Sequence, residues 1–436
     1  MERLDLNHNS REKAMIRKLA AELAEIAHLP VQQKKIDLWK NLNSLQMKRP
    51  MVMVYSFPWE EAEAVSPELQ LQAEDPFHRK LEQYLHRLLF KWRYMRADMV
   101  IEPIYRSPIY FEDTGIRLNS GIAKRKLLTY CANIHTIDNG NPRDAIAYKP
   151  VLSNTEDIAG IAMPEIRINN RQTEDEFIRS CELLEPALKV VKCGVQVMPF
   201  APMDALLELW GINELLIDMI ERPELIHQAM DKLVDTYLAR LDQFGKLNVL
   251  SLNNHAAGAI TQGMGECLTD ELPGEDSNPV FVRPKDMWGG ATAQILSSVS
   301  PTMHDEFSLT HELRWLEQFG LTAYGCCEPL HKKVEILKKI KNLRKISMSS
   351  WIQAEEAAAQ IGNRYVFSYK PKPTFLALDT FDLEPSRREI EDVLQQTRKY
   401  NCPVELILRT IISFKSDPNR IAAWTRMAMS IVGAEE

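Results

Sequence analysis

Two adjacent thiols and a carboxylate, Cys326, Cys327 and Glu328, follow a short apolar run that begins at Leu321. Thiolate and carboxylate groups are ligands that zinc accepts together. The alternative to metal ligation is that both cysteines pack in the core as small apolar side chains. Adjacent side chains on a strand point to opposite faces, so we expect one thiolate ligand and one packed thiol unless the backbone turns at Gly325 or Pro329. The segment predicts a metal site with Cys326, Cys327 and Glu328 as candidate ligands.

Further candidates lie in segments predicted to reach the same place. We predict catalytic roles for His255, which follows an apolar run, and for Glu266, in a long loop rich in Gly, Pro and acids. For His255, contact with substrate or a structural hydrogen bond is favoured over metal ligation, because histidine serves all of these purposes. Cys267 is an alternative ligand. His304 and His311 fall on one face of a predicted helix and are assigned no chemistry.

Aromatic and basic residues near predicted strand ends could hold a planar, charged substrate. The predicted substrate-binding residues are Tyr55, Trp59, Trp351, Tyr369, Lys370 and Arg106. Ordinary packing is the alternative for the aromatic side chains, and surface ion pairs are the alternative for the two cations.

Composition excludes several classes of protein. The chain has 436 residues, 45% of them hydrophobic, and a formal net charge of −7, with basic residues scattered among acids. Nucleic-acid binding is therefore disfavoured. No apolar run is long enough to cross a bilayer or form a signal peptide, so we expect a cytoplasmic protein with no membrane partner. Seven cysteines without regular spacing argue against a disulfide framework.

Helical periodicity dominates residues 1–97, whereas short apolar runs alternate with helical segments from residue 98 onward. This alternation predicts an α/β fold, a TIM-type (β/α)8 barrel (residues 98–436) with an N-terminal helical extension (residues 1–97). An open dinucleotide-binding sheet is disfavoured because no Gly-rich phosphate loop follows an early strand. The predicted strands are 99–103, 191–198, 247–252, 321–324, 345–348, 365–367 and 404–407.

An ordered series of motifs runs through the C-terminal part of the chain. Ser300-Pro301 with Glu306-Phe307 opens the helix before the thiols, residues 324–329 read Tyr-Gly-Cys-Cys-Glu-Pro, and the segments 346–351 and 365–373 follow. Through this series the chain resembles the uroporphyrinogen decarboxylase superfamily from residue 99 to its C-terminus. Residues 324–329 stand in place of that family's His-x-Cys-Gly, residues 346–351 match its next strand, and residues 365–373 occupy the place of a Gly-Asn-x-x-Pro turn. The closest likeness is to the uroporphyrinogen-decarboxylase-like proteins of anaerobic bacteria that carry the same Cys-Cys segment.

Two departures from the family pattern bear on function. Residues 48–59 contain one Arg where a porphyrinogen decarboxylase has an Arg-rich motif, and several fixed guanidinium groups are needed to hold many carboxylates. Residues 406–414 lack the second zinc-binding Cys of the methyltransferase relatives, and Cys402, before that strand, is interpreted as structural. Any remaining zinc ligands must come from elsewhere in the chain.

The resemblance implies a zinc-dependent methyltransferase that activates a methylated small molecule, with a methoxylated aromatic compound as one candidate. Zinc would polarise the heteroatom that carries the methyl group, and a corrinoid (cobalamin) cofactor on a partner protein would receive the methyl. A decarboxylase-like lyase for a carboxylated substrate and a non-catalytic barrel subunit remain alternatives. A homodimer is an expectation that the sequence does not decide.

Overall fold

A parallel β-sheet of six strands forms the centre of the computed structural model, which describes residues 2–118, 150–256, 263–278 and 280–434. In chain order its strands are β1 (Met51–Val54), β8 (Trp288–Ala291), β9 (Leu321–Tyr324), β10 (Leu343–Met348), β11 (Val366–Tyr369) and β12 (Val404–Leu408). Their spatial order is β1, β12, β11, β10, β9, β8, and every adjacent pair is parallel. All six carboxyl ends therefore lie on one side. We call this side the mouth; it carries Tyr55, Gly325, Ser349, Lys370 and Arg409.

Shorter strands form three further pairs. These strands are β2 (Ile104–Pro108), β3 (Phe111–Asp113), β4 (Arg117–Leu118), β5 (Ile161–Ala162), β6 (Ile166–Ile168) and β7 (Lys189–Cys193). The β2–β7 pair is parallel, whereas β3–β6 and β4–β5 are antiparallel.

Helices surround the sheet. They are α1 (Glu2–Ala27), α2 (Pro30–Asn43), α3 (Trp59–Val65), α4 (Pro76–Tyr94), α5 (Thr155–Ala159), α6 (Asn170–Leu184), α7 (Pro202–Trp210), α8 (Ile212–Glu221), α9 (Pro223–Lys246), α10 (Pro301–His304), α11 (Thr310–Leu316), α12 (Val334–Leu337), α13 (Ala354–Ile361), α14 (Glu384–Lys399) and α15 (Asn419–Ile431). A π-helical turn, Asp305–Leu309, joins α10 to α11. Among the described helices, none combines the length and the apolar character needed to span a membrane.

The predicted α/β fold class is confirmed, and the chain path is consistent with a TIM-type barrel. A backbone hydrogen bond joins Asp98 to Val52 of β1, and β2 pairs with β7. A parallel bridge then links Val195 to Leu250, and the Asn253 side chain bonds to the backbone of β8. These contacts lead from one edge of the sheet back towards the other, although the described strands do not form a closed barrel.

Four of the predicted strands in the C-terminal half coincide with β9 to β12, whereas two strands of the sheet were missed. Strand β8 reads Trp-Gly-Gly-Ala and lacks the β-branched residues that mark strands. Strand β1 lies inside the predicted helical extension, yet it pairs with β12, so the sheet begins before residue 98. The predicted strand 247–252 forms only the single bridge at Leu250.

The interior faces of the strands are buried, and polar residues lie among the apolar ones. Strands β8, β9, β11 and β12 are buried at every position, as expected for a parallel sheet covered on both faces. Lys345, Ser368 and Glu405 are fully buried within this core. Buried polar groups must be hydrogen-bonded to be tolerated, so these three side chains mark a network inside the sheet.

Candidate functional site

The thiol pair, Cys326 and Cys327, lies directly after β9 at the mouth. Gly325 turns the backbone there with φ +92°, and a Cβ at this position would come within 2.3 Å of Leu330 Cδ1. The two sulfur atoms are 3.6 Å apart, because the turn brings both side chains to the same side. Cys326 is buried whereas Cys327 is exposed. The condition stated for two thiols acting together, a backbone turn at Gly325, is therefore met.

The thiol pair shares a hydrogen bond that favours an anion. The Cys326 thiol, by donating to Cys327, lowers the pKa of Cys327 to about 6, and the nearby Arg409 and Lys370 charges act in the same direction. The same hydrogen bond, together with burial, raises the pKa of Cys326. A thiolate is far more nucleophilic than a thiol, so the exposed Cys327 sulfur is a reactive group near neutral pH.

Arg409 stabilises the thiol pair and was missed in the sequence. It follows β12, and its guanidinium donates to Cys326 Sγ at 3.2 Å. Gly263, with φ +62°, leaves space for this side chain, since a Cβ there would approach both Arg409 and Tyr55 to about 3 Å. Tyr55 follows β1, and its amide donates to Leu408 O. Strand register could have revealed that Tyr55 and Arg409 are neighbours. Val54 pairs with Leu408, and Tyr55 and Arg409 are the residues that follow them.

Beneath the thiol pair lies a buried charged floor, which we define as Lys345, Ser368, Lys370 and Glu405. Lys345 Nζ contacts Glu405 Oε2 at 2.8 Å, and neither side chain is exposed to solvent. Ser368 Oγ donates to the other oxygen of Glu405 at 2.5 Å and accepts from Lys370 Nζ at 2.6 Å. Burial lowers the pKa of Lys370 to about 7. Lys370 can therefore give or take a proton near neutral pH.

Glu266 and Cys267 belong to a segment that we call the plug, residues 263–268, which lies against the inner faces of several strands. The Gly265 amide donates to Glu405, and Lys345 Nζ donates to Glu266 O at 3.3 Å. Trp288 of β8 donates to Cys267 O. Glu266 is buried, and its charge acts on the pKa of Tyr55. Both predicted candidates thus lie close to the charged floor.

Glu328 is buried behind the thiol pair with both carboxylate oxygens engaged. Its Oε2 accepts from the Cys326 amide at 2.7 Å, and its Oε1 accepts from Thr292 Oγ1 at 2.7 Å. These bonds hold the turn after Gly325 in place. In this arrangement Glu328 positions the backbone of the thiol pair.

His255 lies in a different group of side chains from the thiol pair. Its Nδ1 is 2.6 Å from Ala256 O, its Nε2 contacts the Gln196 amide, and it is 3.9 Å from Glu102. Glu102 is also paired with Arg106 at 2.8 Å. Burial, followed by the Arg106 charge, lowers the pKa of His255 to about 4, so the ring is neutral at pH 7.

The predicted aromatic contacts are spread over several places. Trp351 is 77% exposed. Trp59 packs against Phe57 and beneath Arg87, with 4.8 Å from the guanidinium carbon to the ring centre. The Tyr369 hydroxyl donates to Glu389 of α14, on the face of β11 opposite to Lys370. Of the predicted substrate-binding residues, Tyr55 and Lys370 lie at the thiol pair.

A buried polar chain behind β9 accounts for one of the histidines to which no chemistry was assigned. His304 Nε2 is 2.6 Å from the Tyr324 hydroxyl, which donates to Glu312 at 2.7 Å. Burial raises the pKa of Glu312 to about 7 and lowers that of His304 to about 3. The π-helical turn places Ser308 where it donates to the same carboxylate. His311 pairs with Asp231 on α9.

The residues present do not form a zinc site by themselves. Catalytic zinc usually has three protein ligands. The thiol pair supplies two donors, Glu328 is engaged elsewhere, and the Arg409 cation contacts one of the sulfurs. In the described part of the chain, no group of three or more His, Cys, Asp or Glu side chains is arranged to hold a metal. We derive no step through zinc, and zinc binding stays a prediction.

Comparisons with known proteins give a distant structural likeness. No family model and no curated protein matches the chain. Among solved structures, a methyltransferase from Methanosarcina mazei aligns with 91% of this chain and 97% of its own, at 12% sequence identity and a TM-score of 0.43. At that score the likeness carries no functional argument, so the function is argued from the site.

Proposed function

We propose that this chain is a methyltransferase in which the thiol pair is the reaction centre and Cys327 is the nucleophile. The observation that carries the proposal is the shared hydrogen bond between two thiols 3.6 Å apart at the mouth, with Arg409 3.2 Å from Cys326. A thiol that donates to a neighbouring sulfur stabilises the thiolate form of that sulfur, and the lowered pKa of Cys327 assigns the anion to the exposed member of the pair. Thiolates are soft nucleophiles suited to attack on a methyl carbon, and they need a lowered pKa to be present at neutral pH.

In the proposed step the Cys327 thiolate attacks the methyl carbon of a donor CH3–X–R. A new S–C bond forms, the C–X bond breaks, and the electron pair leaves on X. X takes up a proton from water at the open mouth, where Cys327 is exposed. Arg409 stabilises the thiolate before attack, because its charge lowers the pKa of Cys327.

The predicted acceptor is a corrinoid on a partner protein. When bound, a reduced corrinoid would supply a nucleophile strong enough to take the methyl group. What the chain itself contributes is a partly open mouth, with Cys327 exposed and the Lys345–Glu405 ion pair of the charged floor closed to water.

The experiment that tests the proposal follows the methyl group. The protein is incubated under anaerobic conditions with methylated donors, methoxylated aromatic compounds among them, with and without reduced cobalamin. We expect the tryptic peptide of residues 315–332, which contains both thiols, to gain a methylene mass. Methylcobalamin should then accumulate when cobalamin is present.

Matched variants assign the step to the thiol pair. Cys327→Ser should abolish both signals, whereas Cys402→Ser should retain them because Cys402 is buried before β12. Elemental analysis of the same wild-type, Cys326→Ser and Cys327→Ser preparations tests zinc separately. Absence of methyl transfer from every donor, in folded protein with or without added zinc, would refute the proposal.

A lyase acting on a carboxylated substrate is the second candidate. It is favoured by two cations at the mouth, Arg409 and Lys370, which could hold a carboxylate. A lyase of this kind would release carbon dioxide and would tolerate Cys327→Ser. The same variant therefore separates the two functions.

A further inference from the structure

Five neighbouring strands each place a polar side chain at the mouth, and together these residues outline a binding surface. Cys327 follows β9, Ser349 follows β10, Lys370 follows β11, Arg409 follows β12 and Tyr55 follows β1. The register supports this alignment, because the Lys370 amide donates to the carbonyl of Met348. Ser349 therefore lies beside Lys370, one residue beyond the last paired positions of their strands.

Ser349 points to a ligand at this surface. It is only 4% exposed, and its hydroxyl has no hydrogen-bond partner among the residues that the structure describes. A buried hydroxyl without a partner is costly, and such groups in folded proteins call for an explanation such as a bound molecule. On β10 the Lys345 side chain reaches Glu405 of β12, and the Ser347 hydroxyl donates to the carbonyl of Cys326. Alternation along the strand places Ser349 on the same face as these two residues.

The charges near Ser349 select the kind of ligand. Lys370 is buried, and its amine bonds to neutral oxygens of Ser368, while Arg409 contacts a sulfur. Two nearby carboxylates are engaged by other groups, since Glu405 is paired with Lys345 and Glu328 accepts from Thr292 and a backbone amide. A ligand carboxylate could accept from both cations and from the Ser349 hydroxyl. Charge-assisted hydrogen bonds of this kind are among the strongest in proteins.

We infer that Ser349, Lys370 and Arg409 form a carboxylate-binding subsite beside Cys327, so that the molecule bound at the thiol pair is an organic anion. This inference names the substrate class of the proposed function and rests on it for the reaction, but the subsite itself can be tested without methyl transfer. Its members differ from the two cations predicted to bind substrate, Lys370 and Arg106, because Arg106 is paired with Glu102.

Two alkylating reagents that differ only in charge test the subsite directly. With either reagent the same Cys327 thiolate forms an S–C bond and iodide leaves, so that iodoacetate adds a carboxymethyl group and iodoacetamide adds a carbamidomethyl group. The ratio of their rate constants therefore cancels any change in the thiolate fraction. Compared with a small neutral thiol in solution, Cys327 should favour iodoacetate by at least about tenfold, as expected for a charged site that concentrates an anion.

The variants tie this ratio to the inferred residues. Arg409→Gln and Lys370→Met should each lower the ratio towards that of the free thiol, whereas Arg409→Lys should keep most of it because the charge remains. Ser349→Ala should lower the ratio less, and it should raise thermal stability because an unpaired buried hydroxyl is removed. Arg388→Gln is the matched control, since Arg388 is 71% exposed and paired only at the surface.

Competition identifies the ligand class. Benzoate should protect Cys327 from iodoacetamide, whereas benzamide should not. A ratio equal to that of the free thiol, no response to Arg409→Gln and Lys370→Met, or equal protection by both compounds would overturn the inference. If the ratio is raised but no donor loses its methyl group, the subsite stands and the proposed reaction fails. If neutral donors lose their methyl group and the ratio is not raised, the reaction stands and the subsite fails.

Discussion

The reactivity of Cys327 as a function of pH is the most direct consequence of the thiol pair. A pKa of about 6 means that roughly half of the Cys327 side chain is thiolate at pH 6. An ordinary thiol with a pKa of about 8.5 is only about 0.3% ionised there. The thiolate fraction is thus higher by about 150-fold.

The rate gain is smaller than the gain in thiolate, because a thiolate of lower pKa is a weaker nucleophile. With a Brønsted coefficient of about 0.4–0.5, a drop of about 2.5 pKa units costs roughly 10- to 20-fold in intrinsic reactivity. We therefore expect alkylation of Cys327 at pH 6 to be about tenfold faster than that of an ordinary thiol. At pH 7 the advantage shrinks to about two- to threefold, so the midpoint of the profile is the diagnostic quantity.

The assay measures iodoacetamide alkylation of Cys327 from pH 4 to pH 10 by mass spectrometry of the peptide 315–332. Cys326→Ala removes the donated S–H, and a charge-assisted hydrogen bond of about 1.5–3 kcal/mol corresponds to about one to two pKa units. The midpoint should therefore rise from about 6 to about 7–8 in this variant. A wild-type midpoint near that of an ordinary thiol, or one that Cys326→Ala leaves unchanged, would refute this account of the thiol pair.

The ionisation of Cys327 also makes the free energy of unfolding depend on pH. The folded-state pKa of Cys327 lies below that of the unfolded chain, so its contribution is present above the unfolded pKa. It is lost as pH falls through about 6.

Three further predictions concern the surroundings of the thiol pair. Lys345→Met should destabilise the fold by about 3–5 kcal/mol because Glu405 is left buried without its partner, whereas Lys339→Met, at a half-exposed pair, should cost at most about 1 kcal/mol. Denaturant unfolding measures both, and equal midpoints would contradict the prediction. Gly325→Ala should lower the melting temperature and slow alkylation of the thiol pair, because its φ is positive and the new Cβ would meet Leu330. Under a mild disulfide oxidant the thiol pair should form an internal disulfide, seen as the loss of two hydrogen masses from peptide 315–332, and two alkylated thiols after oxidation would exclude it.

Much of the framework around the thiol pair could be predicted from sequence because it depends on local patterns. The run 321–324 is apolar and short, and the thiols follow it directly, so strand β9 and the position of its carboxyl end were both found. The turn at Gly325 was named as the condition for both thiols to act together, and the structure meets it.

The partners of the thiol pair depend on long-range register and could not be found in this way. Arg409 lies 83 residues beyond Cys326 in the chain. At the end of β12 the expected residue was a second cysteine, not a cation. Strand β1 reads Met-Val-Met-Val within a helical region, and only its pairing with β12 identifies Tyr55 as a residue of the mouth. The burial that lowers the pKa of Lys370 has no local sequence signal, because Lys345 and Glu405 of the charged floor come from two other strands, β10 and β12.

The plug has a consequence for how this protein could change over evolution. Part of the material that fills the sheet interior comes from a loop segment, residues 263–268, which contacts Glu405, Lys345 and Trp288. Every residue of the plug is buried, and a Cβ at Gly265 would approach Trp39 to 2.5 Å and Glu405 to 2.6 Å. The volume and charge beside the charged floor are therefore set in part by one short stretch of chain that belongs to no strand. A substitution there should change the preferred substrate without re-pairing any strand, provided that the new side chain fits the closely packed space.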